Sequence, residues 1–285
     1  MKALPFVLAV AAVFLVACGS TAPAKQQKAV AVPYSFHGAY EDPTDVALAP
    51  MQTLMRDAEL VQGWTASANE GFVPPVNVLI AAGQCDTVNA FYNPADHSVS
   101  MCYEMAEYLR SLFTLPEQGE TATPAPEDVD EEVAGALNGI FYHEFGHALI
   151  DLYDLPTTGK EEDAVDQLSA LVLIRQAEDE GDYSDIISTI NAWGRIGGQE
   201  AAVGGLDDSS FADEHSLSRQ RYYTMMCYLY GSDHNAFLPL VSSGELPVER
   251  AQQCESEYNK MTKAWARLLA PHMRAKPPTP VPTTS

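Results

Sequence analysis

The chain has 285 residues, 46% of them apolar, which is enough for a sizeable core and argues against global disorder. Thirty-nine acids against 16 bases leave a formal charge of −23. That balance excludes a basic nucleic-acid-binding surface and sets the folded part against anionic membranes.

The N-terminus, "MKALPFVLAVAAVFLVAC", carries one lysine and then an apolar run from Ala3 to Val16. The run is too short to span a membrane as a mature helix and reads as an export signal. Its end, Leu15-Val16-Ala17-Cys18, resembles the lipobox of bacterial lipoproteins. The resemblance implies that residues 1–17 are removed and that Cys18 is acylated, which anchors a protein without a transmembrane helix. Gly19, in place of aspartate, leans toward the outer membrane. The location this implies is the bacterial cell envelope, with the protein facing the periplasm. Residues 18–36 then read as a flexible tether, 37–272 as the folded domain and 273–285 as a proline-rich disordered tail.

Within the domain, Met51, Leu54, Met55, Leu60 and Val61 recur at helical spacing over residues 50–64. The apolar run 76–82, bounded by Pro74-Pro75 and Gly83, reads as a buried strand. Phe91-Tyr92, an Asn-Pro-Ala-Asp turn and the return Val99–Cys102 read as a hairpin. It could serve as ordinary sheet or pair at its edge with an extended substrate. A helix is expected over 103–114, and residues 117–132, with seven acids and no base, form a loop into the next one. Further helices are expected over 130–153, 161–180, 184–197, 217–230 and 248–270, with glycine-rich 194–210 as a mobile loop. One small, antiparallel-containing sheet packed on a mostly helical core makes the class α+β. Setting Cys18 aside leaves Cys85, Cys102, Cys227 and Cys254, an even set that suits two disulfides in an oxidising compartment. Three pairings are possible, and proximity favours Cys85–Cys102 and Cys227–Cys254. Loops of this size contribute about 3 kcal/mol each.

The chemistry centres on "HEFGH", residues 143–147. Four residues turn a helix by about 400°, so His143 and His147 stand one above the other and can converge on one ion. Glu144, one step round, reaches a water on that ion without ligating it. This is the HExxH arrangement of two zinc ligands and a general base. Gly146 costs about 1 kcal/mol against alanine in a helix, so its presence points to another element packed close by. Leu155-Pro156 and Gly159 then break the helix and can return the chain antiparallel. The next helix opens on Glu161, Glu162, Asp163 and, one turn after Glu162, Asp166. A catalytic zinc needs a third protein ligand. Glu162 is assigned to it, with Glu161 and Asp163 as alternatives. Asp166 and Glu161 would orient the two histidines through their free N–H groups. The competing account is a helix start whose acids offset the macrodipole. Downstream, His215 is the candidate donor to the oxyanion of a peptide undergoing attack, with Arg219, Arg221, Tyr222 and Tyr223 as competitors.

"HEFGHALID" followed by "EEDAVD" resembles the gluzincin arrangement and its thermolysin-like Glu-x-x-x-Asp pattern. No third histidine extends the motif as in metzincins. Together with "NAFYNPADHSVSMCYE" and "EHSLSRQRYY", the chain over about 48–270 resembles a family of bacterial zinc metallopeptidases classed as a domain of unknown function. "AFYNPAD" also resembles the neutral zinc metallopeptidases. These resemblances imply zinc, a zincin-like core and a peptide or protein substrate. The function expected is a zinc-dependent metallopeptidase of the bacterial envelope. The alternative keeps the metal without the chemistry: a non-catalytic zinc-binding or protein-interaction lipoprotein, which has no need of Glu144.

Overall fold

The computed structural model describes residues 34–116, 123–202 and 206–274. The export signal, Cys18 and all of the tether up to residue 33 lie outside the described residues, as does the tail from 275. A four-stranded mixed sheet carries β1 (Phe36–Tyr40), β2 (Val78–Gly83), β3 (Ala90–Asn93) and β4 (Ser98–Cys102) in the order β1-β2-β4-β3. β1, β2 and β4 run parallel, and β3 pairs antiparallel with β4, Tyr92 opposite Val99. The hairpin is therefore present, and β3 is an edge of the sheet.

β1 had no signal as a strand, because "FHGAY" neither alternates nor forms an apolar run. Packing explains it. A Cβ on Gly38 would lie 2.6 Å from Thr65 Oγ1 and 2.8 Å from Val61 Cγ1, so the bare glycine lets a helix lie directly on the strand. That helix is α2 (Leu60–Gly71), which follows α1 (Ala49–Asp57). The single helix expected near 50–64 is thus two, divided at Glu59 in the left-handed region (φ 52°). Phe36 is buried in the core, while Arg274 donates from its backbone to Gly71 O and from its side chain to Asn69 O and Phe72 O. Residues read as the end of the tether and the start of the tail therefore belong to the folded unit.

The remaining helices are α3 (Tyr103–Phe113), α4 (Pro126–Tyr153), α5 (Glu161–Glu180), α6 (Ser184–Ala202), α7 (Asp208–Ala212), α8 (Ser218–Ser232), α9 (Leu238–Ser242) and α10 (Val248–Leu269). α4 starts at Pro126, inside the stretch read as an acidic loop, with proline at its first turn and Glu127 and Asp128 facing the helix dipole. It is the centre of the molecule, buried on nearly every face from Val133 to Ile150 between the sheet, α5 and α6. Phe141 stacks on Trp64 and Phe145 packs against Phe36 and Phe72, which fixes α4 in rotation.

α6 runs on through the glycines at 194, 197 and 198, correcting the mobile loop expected there. A Cβ at Gly194 would sit 3.0 Å from the Tyr222 ring, and one at Gly197 would sit 2.7 Å from the Arg219 side chain. Two of the glycines thus let α6 and α8 approach and do not break the helix. Cys85–Cys102 and Cys227–Cys254 are the disulfides, the first closing the chain between β2 and β4 and the second tying α8 to α10. Among the described residues no helix is long and apolar enough to cross a membrane.

Candidate metal centre

α4 ends at Asp154 in the left-handed region (φ 50°), Leu155 tucks into the core, and the chain returns as α5. Paired contacts show the return to be antiparallel: Ser169 Oγ donates to Gly139 O, Asp166 meets His143, and Glu162 meets His147. Gly146 is the close-approach point, since a Cβ there would lie 2.8 Å from Val165 Cβ. This is the packing that a glycine inside the motif implied.

His143 Nε2 lies 3.0 Å from Glu162 Oε2, and His147 Nε2 lies 3.4 Å from Glu162 Oε1. His215, on the loop between α7 and α8, brings its Nε2 to 3.0 Å from the same Oε2. Every Nδ1 faces another carboxylate: Asp166 Oδ1 at 2.8 Å from His143, Glu161 Oε1 at 2.8 Å from His147, and Asp213 Oδ1 at 3.0 Å from His215. An ionised carboxylate only accepts, so each Nδ1 carries a proton and each ring turns its Nε2 inward, where the neutral form offers a lone pair. Glu162 Oε2 is sealed from solvent and, despite two short contacts, has no hydrogen-bond partner. Three inward Nε2 atoms gathered on one carboxylate make a cluster that a divalent cation could complete.

The electrostatics of the cluster point the same way. Burial pulls the imidazoles of His143 and His147 down, but Asp166 and Glu162 outweigh it for His143, and Glu162 and Glu161 push His147 up to about 9. Burial alone would raise the Glu162 carboxyl, yet the three facing histidines hold it far below the carboxylate range. Without a metal, protons on the imidazoles supply the positive charge that the cluster demands. A bound cation replaces them.

Glu144 is buried beside the histidines and does not join them. Its Oε2 accepts from Tyr92 N–H on edge strand β3 at 3.0 Å. Burial lifts its carboxyl above the usual range, partly countered by His143 and His147, a direction that favours proton uptake. A cavity of about 70 Å³ opens next to His143 and Glu144, walled by Met105, Ile140, Trp193 and Met225.

The structure brings together His143, Glu144, His147, Glu161, Glu162, Asp166 and His215 and separates the three acids, whereas Arg219 lies over the Tyr222 and Tyr223 rings and donates to Tyr223 Oη. Glu162 faces the Nε2 atoms, Glu161 faces His147 Nδ1, and Asp163 accepts from Ser216 Oγ at 2.6 Å. Arg221, named as a competitor to His215, is instead buried against Asp166: Nε donates to Oδ2 at 2.7 Å and Nη2 to Oδ1, with the guanidinium 3.5 Å over the Trp193 ring. Burial would raise the Asp166 carboxyl, but Arg221 and His143 hold it at about 2. Three partners had no sequence signal strong enough to name them. They are the Tyr92 amide, Trp193, and Lys160, whose Nζ donates to Asp213 O and His215 O at 3.1 and 3.4 Å. Asp213, two residues before His215, is the local partner of its ring, a pairing that the spacing alone allows.

The model of a family described as "Putative metallopeptidase" matches residues 40–269. No curated protein and no solved structure matches the chain.

Proposed function

The chain belongs to this family of metallopeptidases, which implies a metal ion and a peptide or protein substrate, and from that premise we propose a zinc-dependent peptidase of the bacterial cell envelope. One observation carries the zinc reading: three imidazoles are oriented by carboxylates at Nδ1 and converge through Nε2 on the carboxylate of Glu162, His143 and His215 on its buried Oε2 and His147 on Oε1. Histidine nitrogens with one carboxylate are the donor set that zinc favours. His143, His147 and Glu162 would hold it, with Asp166 and Glu161 fixing the two rings of the motif, as in gluzincins. Zinc bound there supplies a Lewis acid and lowers the pKa of a water to about 7.

Glu144, held by the Tyr92 amide, takes the proton from water as it adds to the peptide carbonyl. It then returns that proton to the leaving amine as the C–N bond breaks. His215 in its charged form donates from Nε2 to the oxyanion that develops. β3, at the sheet edge, offers backbone groups for pairing with an extended substrate. Cys18 and the apolar run before it support a lipid anchor facing the periplasm, and two disulfides fit that oxidising compartment. Replacing Cys18 with serine should release the protein from membranes, and continued anchoring would count against the lipidated form.

The deciding experiment compares wild type with Glu144→Gln on a peptide library, with metal content measured in both. Near one equivalent of zinc in each and a loss of about 10²- to 10⁴-fold in cleavage by the variant are expected. Full activity in Glu144→Gln would remove the general-base assignment. A wild type that loads zinc and cleaves nothing would leave the non-catalytic metal-binding reading.

A further inference from the structure

His215 stands differently from the other three donors, and the difference bears on how the site rests. Its Nε2 is as close to Glu162 Oε2 as that of His143, 3.0 Å in each case. Neighbouring ligands round a tetrahedral zinc, with bonds of about 2.0–2.1 Å, stand about 3.4 Å apart. The observed separations of 3.0, 3.0 and 3.4 Å between Glu162 and the three imidazoles approach that spacing. Among the described residues, His143, Glu162 and His215 place their donor atoms within 4.8 Å of one another; Cys85, Cys102 and Glu104 do so too, but those cysteines are joined in a disulfide. His215 also shares the orientation of the motif histidines, with Nδ1 against a carboxylate and Nε2 turned inward. A neutral ring so held offers a lone pair, which suits a metal. Donation to an oxyanion would require a second proton.

Resting on the metallopeptidase reading above, we infer that His215 is a fourth protein ligand in the resting enzyme, joining His143, His147 and Glu162 in a closed set that must open at His215 to admit substrate. Four protein donors fill a tetrahedral site, whereas catalysis requires an open position. Of the four, only His215 sits on a loop, and its side chain is 43% exposed, against 6% for His143, 17% for His147 and 14% for Glu162. The loop is clipped to the start of α5 by Lys160 on the carbonyls of Asp213 and His215, and by Ser216 on Asp163. Surface ties of this kind are weak enough to break and re-form. The inference makes the site self-closing, with His215 blocking the position that it later serves as a donor to substrate.

Zinc affinity by chelator competition on the full chain tests this. His215→Ala should bind zinc at least about ten-fold more weakly than wild type, no less than the loss of an outer-shell partner. The metal-free melting temperatures of the two should agree, because the side chain is half exposed. In wild type, the His215 Nε2 nitrogen resonance should shift on zinc loading as those of His143 and His147 do, a readout that needs no variant to fold. Unchanged affinity in His215→Ala, or a His215 resonance indifferent to zinc, overturns the fourth-ligand assignment while leaving the metallopeptidase reading intact. A wild type that binds no zinc overturns both.

Discussion

Two kinds of scaffold supply the donors at this centre. On one side α4 and α5 pack with a bare glycine between them; His143 is buried and oriented by Asp166, itself held by Arg221, while His147 is oriented by the more exposed Glu161. On the other, the loop before α8 presents His215 half exposed, oriented by exposed Asp213 and clipped by one lysine and one serine. Position on the helix pair is set by core packing, which has no low-energy alternative. Position on the loop rests on a few surface hydrogen bonds, so it can change at small cost. The rigid half would hold the ion, while the mobile half would decide when the site is open.

Breaking the rigid half should cost most. His143→Ala removes a ligand and should bring zinc content below detection, with melting no longer responsive to added zinc. Retention of a full equivalent would show that the helix pair is not the main binding element. Arg221→Met comes next. It leaves Asp166 buried without its guanidinium, and a broken buried pair costs about 3–5 kcal/mol, to be read from urea unfolding of the metal-free protein. A loss below about 1 kcal/mol would mean that His143 alone satisfies Asp166. Gly146→Ala forces a methyl against Val165 and should destabilise by about 1–3 kcal/mol, the ordinary cost of overpacking. The same substitution at Gly198, where nothing lies within 4 Å, should be neutral or stabilising. Smallest of all, Lys160→Ala should change unfolding by less than about 1 kcal/mol, as an exposed tie does. A change as large as that of Arg221→Met would erase the distinction between the two halves.

Much of this centre could be read along the chain because its logic is local. Histidines four apart on a helix, a glutamate beside the first, a break and an acidic helix start are all spacings within 24 residues, from His143 to Asp166. The disulfides follow the same rule, each joining cysteines near in sequence. Reading failed where a residue's conformation answers to a distant neighbour. Gly194 and Gly197 look like loop punctuation until α8 is seen lying on them. β1 becomes a strand because β2 pairs with it and α2 covers Gly38.

By itself the sequence determined that two imidazoles share a helical face with a base beside them, since a turn of about 3.6 residues leaves no other arrangement. It also determined that acids open the following helix. It did not select among them, because Glu161, Glu162 and Asp163 point about 100° apart around α5 and only the rotation of that helix against α4 chooses one. That rotation is set by Gly146 meeting Val165, a contact between two elements. The same holds for Arg221, buried on Asp166, and for His215, drawn in from 53 residues beyond Glu162. Direction of a side chain is a tertiary quantity, and at this centre direction separates a ligand from its neighbours.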